Sequence, residues 1–211
     1  MLTLRPRYEQ TVDAICDLKW SNLTPKELLA VAGAYRYFSV QFCETVELAC
    51  ARFPDDRMLD ELRDGECQTD NLSPYPGVAA EGERMNHDEF MRRVVAMSGL
   101  DQTERDRLEA LGARYLAEVR AIDVDTRINS LPSYEDGGLE KVFRAVLGAR
   151  HWDEPSLAAF RHFLVGHIHL DSDPDSGHGA LCRHLAADDR IIPLWTAFRT
   201  LLVEAAPALA A

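Results

Sequence analysis

Thr24-Pro25-Lys26-Glu27 sets a threonine three positions before a glutamate with proline between them, the pattern that starts a helix. From there to about Arg52 no further proline occurs, so the spacing predicts one long helix. On it Tyr37, Val40, Glu44 and Leu48 form one stripe, and Phe38, Phe42, Thr45 and Ala49 form another. A helix apolar over that much of its circumference has to be central. The segments around it keep the same period. They are Tyr8, Val12, Ile15 and Leu18 from about Pro6 to Lys19, Met58, Leu59 and Leu62 after an Asp55 or Asp56 cap, and a helix resuming near Gly82. After these come Leu108, Leu111, Tyr115, Val119 and Ile122, then Leu139, Val142 and Val146 beyond Leu131-Pro132. A helix follows Trp152, and the last ones run from about His178 to Ala186 and from Arg190 to Glu204, with the tail APALAA expected to fray. No alternating run of strand type interrupts them. The expectation is an all-α, single-domain bundle of about seven to eight helices over residues 1–211.

Into this apolar pattern the chain places residues that an ordinary core avoids. Leu157, Phe160, Leu164, His167 and Asp171 lie three or four apart, on one face of a helix. An imidazole and a carboxylate one turn apart can hold the same cation, and burying both without a partner is costly. The run SDPDSG then ends the helix and returns His178 beside Gly179. Glu66 continues the stripe of Met58, Leu59 and Leu62, with Asp70 four residues later. His87 is the polar member of the stripe Glu83, Met91 and Val94, flanked by Asn86 and Asp88, which also suit a helix-start histidine. Glu135 keeps the phase of Leu131, Leu139 and Val142, and that phase turns Asp136 outward. On the long helix Glu44 is aimed inward, with Glu47 as its runner-up and Glu118 as a spare from a later helix. Several carboxylates with histidines suit iron or manganese better than structural zinc or calcium. Helical bundles hold paired ions with such inward side chains.

Charge and cysteine content narrow the partners. A net charge of −12 argues against nucleic acid, which needs a basic surface. The five cysteines are odd in number and lack CxxC spacing, which suits a reducing cytosol. No segment reaches the roughly 18 uninterrupted apolar residues that span a bilayer, and the N-terminus lacks a signal-peptide core. A cytoplasmic protein without membrane contact is expected.

The order of these elements, with glutamate on an early helix, acid then histidine in the middle, glutamate later, and HIHLDSDPDSGHG last, resembles the heme-oxygenase-like dimetal oxidases and oxygenases. The resemblance covers about Thr24 to Leu202, and its specific part is the His167-x-x-x-Asp171 helix followed by a histidine near glycine. It implies a heme-oxygenase-like fold with Glu44, Glu66, His87, Glu135, His167, Asp171 and His178 as ligands of two ferrous or manganese ions. Dioxygen is the implied cosubstrate. The implied substrate is small, amino-acid-like or a carboxylate, within specialised natural-product metabolism, and a homodimer is the expected assembly. The gap from Asp171 to His178 is longer than the single turn usual in the family. The long loop after Glu66 leaves Asp70, Glu81 or Glu83 as its replacement. Arg36 and Arg92 are candidates to hold a substrate carboxylate. Two other readings fit the same residues. One is a metal-free enzyme of this fold that uses a carboxylate as acid or base, with Cys43 or Cys50 as nucleophile. The other is a non-catalytic helical partner protein whose buried polar residues specify packing.

Overall fold

The computed structural model describes residues 6–171 and 177–211, with only the backbone described at position 171. Helix α1 (Tyr8–Cys16) precedes α2 (Pro25–Arg52), which starts as the sequence dictates. Thr24 Oγ1 accepts from the Glu27 amide at 3.3 Å, while Glu27 Oε2 accepts from the Thr24 amide at 2.9 Å. At about 1.5 Å per residue α2 runs some 42 Å and forms the axis of the fold. Its Phe38, Phe42, Thr45 and Ala49 stripe is buried. Around it pack α3 (Arg57–Glu66), α4 (His87–Met97), α5 (Gln102–Arg120), α6 (Val124–Ile128), α7 (Leu131–Glu135), α9 (Pro155–Asp171) and α11 (Ile192–Ala205). Two more, α8 (Gly138–Val146) and α10 (His178–Cys182), both pack on α7 and α9, and α10 also packs on α3. The fold is all-helical, with eleven α-helical segments among the described residues, more than the seven or eight expected. The excess comes from breaking the region after α5 into the short α6, α7 and α8. No described helix is long and apolar enough to cross a membrane.

Three sequence expectations need correction. The helix expected near Gly82 begins at His87, because Gly82 takes a left-handed φ of 68° and the segment before α4 pairs backward instead. Thr69 and Met85 exchange both backbone hydrogen bonds, at 3.1 and 2.9 Å. The tail does not fray, since Leu209 is fully buried and its carbonyl accepts from the Lys19 amide at 3.0 Å. The helix expected from His178 to Ala186 is cut to one turn and a half, α10.

The Thr69–Met85 pairing closes the loop between α3 and α4, so the last residue of one helix and the first of the next meet. That closure carries Glu66 to His87. Below it, Asn86 Oδ1 accepts from the Gln68 amide at 2.9 Å and Arg84 Nε donates to the Gln68 carbonyl at 2.6 Å. These bonds hold Gln68 at a φ of 54°, a conformation that non-glycine residues seldom adopt.

Candidate metal centre

Five of the seven expected ligands converge in the interior. Glu66, His87, Glu135, His167 and His178 are each at most 9% exposed, although they come from five separate helices. They form two groups with one member in common: Glu66, His87 and His167, and Glu66, Glu135 and His178. Within the first, Glu66 Oε2 lies 2.9 Å from His87 Nδ1, which is 3.1 Å from His167 Nε2. Within the second, Glu66 Oε1 lies 2.5 Å from His178 Nδ1, and Glu135 Oε2 is 3.6 Å from the same nitrogen. The two oxygens of Glu66 therefore face different groups. A carboxylate so placed could be shared between two ions.

The hydrogen bonds behind the rings decide what the facing atoms can do. Asn71 Nδ2 donates to the Gly65 carbonyl at 2.8 Å, which turns its Oδ1 toward His87 Nε2 at 3.2 Å, and that nitrogen must therefore carry a proton. On His167, Nδ1 lies 2.8 Å from the Phe163 carbonyl and must carry the proton there. Burial first, and His87 second, push the His167 imidazole down to about 3, so it is neutral and its Nε2 is a bare lone pair. His87 Nδ1 thus meets two acceptors at once. With its proton on Nε2, His87 Nδ1 faces them as a third lone pair, a convergence that a shared cation would satisfy. Burial alone would raise the Glu66 carboxyl, but His87 and His178 outweigh it and hold it well below the usual carboxylate range. These are donor atoms suited to a metal, and the rings of His87 and His167 are each oriented from behind by a carbonyl oxygen in the manner of ligating histidines.

Packing explains why the site closes here. Phe163 stacks on His167 with centroids 4.1 Å apart, and Phe143 meets the same ring edge-on at 5.9 Å. The enclosed space among Phe38, Phe42, Phe163 and the cluster is only about 10 Å³, room for one small species. Gly65 stands inside α3, where a helix would prefer alanine, and its reason is His178. A Cβ there would stand 2.8 Å from His178 Nε2. Gly65→Ala is expected to leave the thermal midpoint within a few degrees of wild type, since the helix gains up to about 1 kcal/mol in propensity. It should halve bound metal by displacing His178. Metal counting alongside a thermal melt checks both.

The other expected residues fall elsewhere. Glu44 is not part of the cluster: its stripe with Tyr37, Val40 and Leu48 is only half-buried, and its carboxylate pairs with Arg120 and with Arg127 Nη2, the latter at 3.3 Å. From α2 the cluster receives only wall residues, Tyr35, Phe38, Ser39, Phe42 and Cys43. The side chain of Asp171 lies outside the described residues. Asp70 and Glu81 are exposed and Glu83 is paired with Arg93 at 2.8 Å, so of the four alternatives Glu66 is the one that reaches the cluster. Glu47 and Glu118 are exposed, as is Asp136, which faces outward as its phase predicts and pairs with Arg183 at 2.9 Å. Arg92 is held by Glu89 at 2.6 Å and shares with Arg36 a separate pocket of about 180 Å³. Asn71 was not foreseen, because a polar residue in a proline-rich loop carries no phase.

Beside the cluster, Val40, Cys43, Glu44, Leu48, Asp88 and Arg127 line an open cleft of about 650 Å³. Cys43 lines both the cleft and the inner cavity. Its sulfur is 2.8 Å from that of Cys67, whose thiol is pushed far up by this contact and by burial. Comparison with protein-family models, with curated proteins and with solved structures returns no match for the chain.

Proposed function

We propose that the protein is a non-heme dimetal oxidase or oxygenase, binding two ferrous ions, with manganese as the alternative, and using dioxygen on a small amino-acid-like or carboxylate substrate in specialised metabolism. One observation carries this reading: Glu66 offers its two oxygens to two separate histidine-containing groups. Of the seven positions that the resemblance implies, Glu66, His87, Glu135, His167 and His178 lie together, the Asp171 side chain lies outside the described residues, and at Glu44 α2 supplies apolar walls and a thiol instead.

When bound, ferrous iron supplies the electrons for reducing dioxygen and a Lewis acid beside the substrate. The chain supplies geometry. Asn71 keeps the proton of His87 on Nε2, and the Phe163 carbonyl keeps that of His167 on Nδ1, so Nδ1 of one ring and Nε2 of the other stay available to a cation. Phe143 and Phe163 exclude water from the rings. The inner space is too small for a substrate, so the substrate belongs in the cleft, with Cys43 at the partition.

Two measurements test this. Anaerobic protein loaded with ferrous iron should consume dioxygen on mixing, faster with a turned-over substrate from a panel of amino acids and small carboxylates. Ferrous iron that stays bound and unoxidised in air would overturn the oxidase reading. Asn71→Leu removes the acceptor behind His87 and is expected to weaken metal binding about 10- to 100-fold. Equilibrium titration against a chelator measures it without reference to activity.

A further inference from the structure

Cys43 and Cys67 are far apart in sequence and lie on different elements, yet their sulfurs are 2.8 Å apart. A disulfide needs about 2.0 Å, so closing the pair takes a movement of under roughly 1 Å. Neither is in a disulfide. The two differ in access. Cys43 is half-buried and lines the open cleft of about 650 Å³, whereas Cys67 is 7% exposed, behind it. The backbone also presents Cys67 deliberately: it caps α3 directly after Glu66, and the left-handed Gln68 that follows is held by Asn86 and Arg84. By contrast, Cys50 and Cys182 are buried and point their thiols at backbone carbonyls of Leu59, His178 and Gly179.

We infer that Cys43 and Cys67 form a peroxide-reactive dithiol, in which Cys43 is oxidised from the cleft and Cys67 resolves it as a disulfide. In the first step the Cys43 sulfur attacks one oxygen of hydrogen peroxide. The O–O bond breaks, an S–O bond forms, and the products are a sulfenic acid and one water. In the second the Cys67 sulfur attacks the sulfenic sulfur. An S–S bond forms, the S–O bond breaks, and hydroxide leaves with the Cys67 proton as a second water. Two thiols and one peroxide become one disulfide and two waters, the two electrons passing from sulfur to peroxide. The product ties α2 to the residue beside Glu66 and sets a covalent change at the partition between cleft and cluster. The chemistry needs no metal, so it stands or falls separately from the dimetal reading.

The test treats the reduced, chelator-stripped full chain with equimolar hydrogen peroxide, alkylates what remains and maps the peptides by mass spectrometry. Two of the five thiols should be lost to a single dithiothreitol-reversible crosslink joining Cys43 to Cys67, with a raised thermal midpoint. In Cys67→Ser the sulfenic acid should persist on Cys43 and be trapped by dimedone. In Cys43→Ser neither the crosslink nor a dimedone adduct at Cys67 should form. Five alkylatable thiols remaining in the wild-type chain, or a crosslink to Cys16, Cys50 or Cys182 in place of this one, would overturn the inference, and either can be read even if a variant fails to fold.

Discussion

Replacing Glu66 by alanine is expected to lower bound ferrous iron from two ions per chain to none, whereas His167→Ala and Glu135→Ala should each leave about one. The asymmetry follows from Glu66 alone belonging to both groups. Removing His167 takes a ligand from the group it forms with His87 and leaves Glu135, His178 and one Glu66 oxygen untouched. Removing Glu135 does the converse. Removing Glu66 leaves each side with only the remnants of a three-ligand set and takes away the negative charge that would hold two cations close together. It also strips the one carboxylate that His87 and His178 both face, at 2.9 and 2.5 Å. The metal-free variant is then expected to lose stability by about 3 to 5 kcal/mol, the range for breaking a buried charged contact from one side. Chelator-competition titration of the three variants separates the outcomes. Equal losses in all three would mean that the two groups are not linked through Glu66.

The second large effect is on pH. His167 is fully enclosed, and its imidazole is held near 3 by burial and by His87, against an ordinary value of about 6.5. The unfolded chain therefore binds a proton between these values that the folded chain refuses, and stability rises with pH across the interval. The contribution is fully present above about 6.5 and is lost as pH falls toward 3. Glu66, held below the usual carboxylate range by His87 and His178 against the opposing effect of burial, acts in the same direction at the lower end of that window. Metal-free protein should therefore lose on the order of 3 to 6 kcal/mol between pH 7 and pH 3 from His167. His167→Phe, which keeps an aromatic ring against Phe163 and Phe143, should flatten the dependence. Urea unfolding of the metal-free chain at a series of pH values measures both. A wild-type curve as flat as the variant's would contradict the assignment of a neutral, buried His167.

Much of this was legible in the chain because it depends on local phase. The stripe Leu157, Phe160, Leu164 and His167 is buried as its spacing requires, and Glu66 and Glu135 face inward from the phases of α3 and α7. The capping box at Thr24 starts α2 where it was expected. What phase leaves undetermined is which of two similar stripes meets the core. On α2 the stripe of Phe38 and Phe42 does, so Glu44, on the other, turns to Arg120 and Arg127 at the cleft. Long-range pairing was equally invisible. The exchange between Thr69 and Met85 delays α4 to His87, and it is also what brings His87 against Glu66. Asn71 and the Cys43–Cys67 contact depend on the same loop closure. No periodicity in the residues themselves announces either.

The measurement that bears most directly on the shared carboxylate is iron X-ray absorption of the anaerobic, ferrous-loaded chain, with the metal counted in the same sample. Two irons per chain and an iron scatterer at about 3.5 to 4 Å, the spacing of two-metal sites, are the predicted result. Both should be absent in Glu66→Ala. One iron per chain without an iron neighbour, or iron binding that survives in Glu66→Ala, would contradict it.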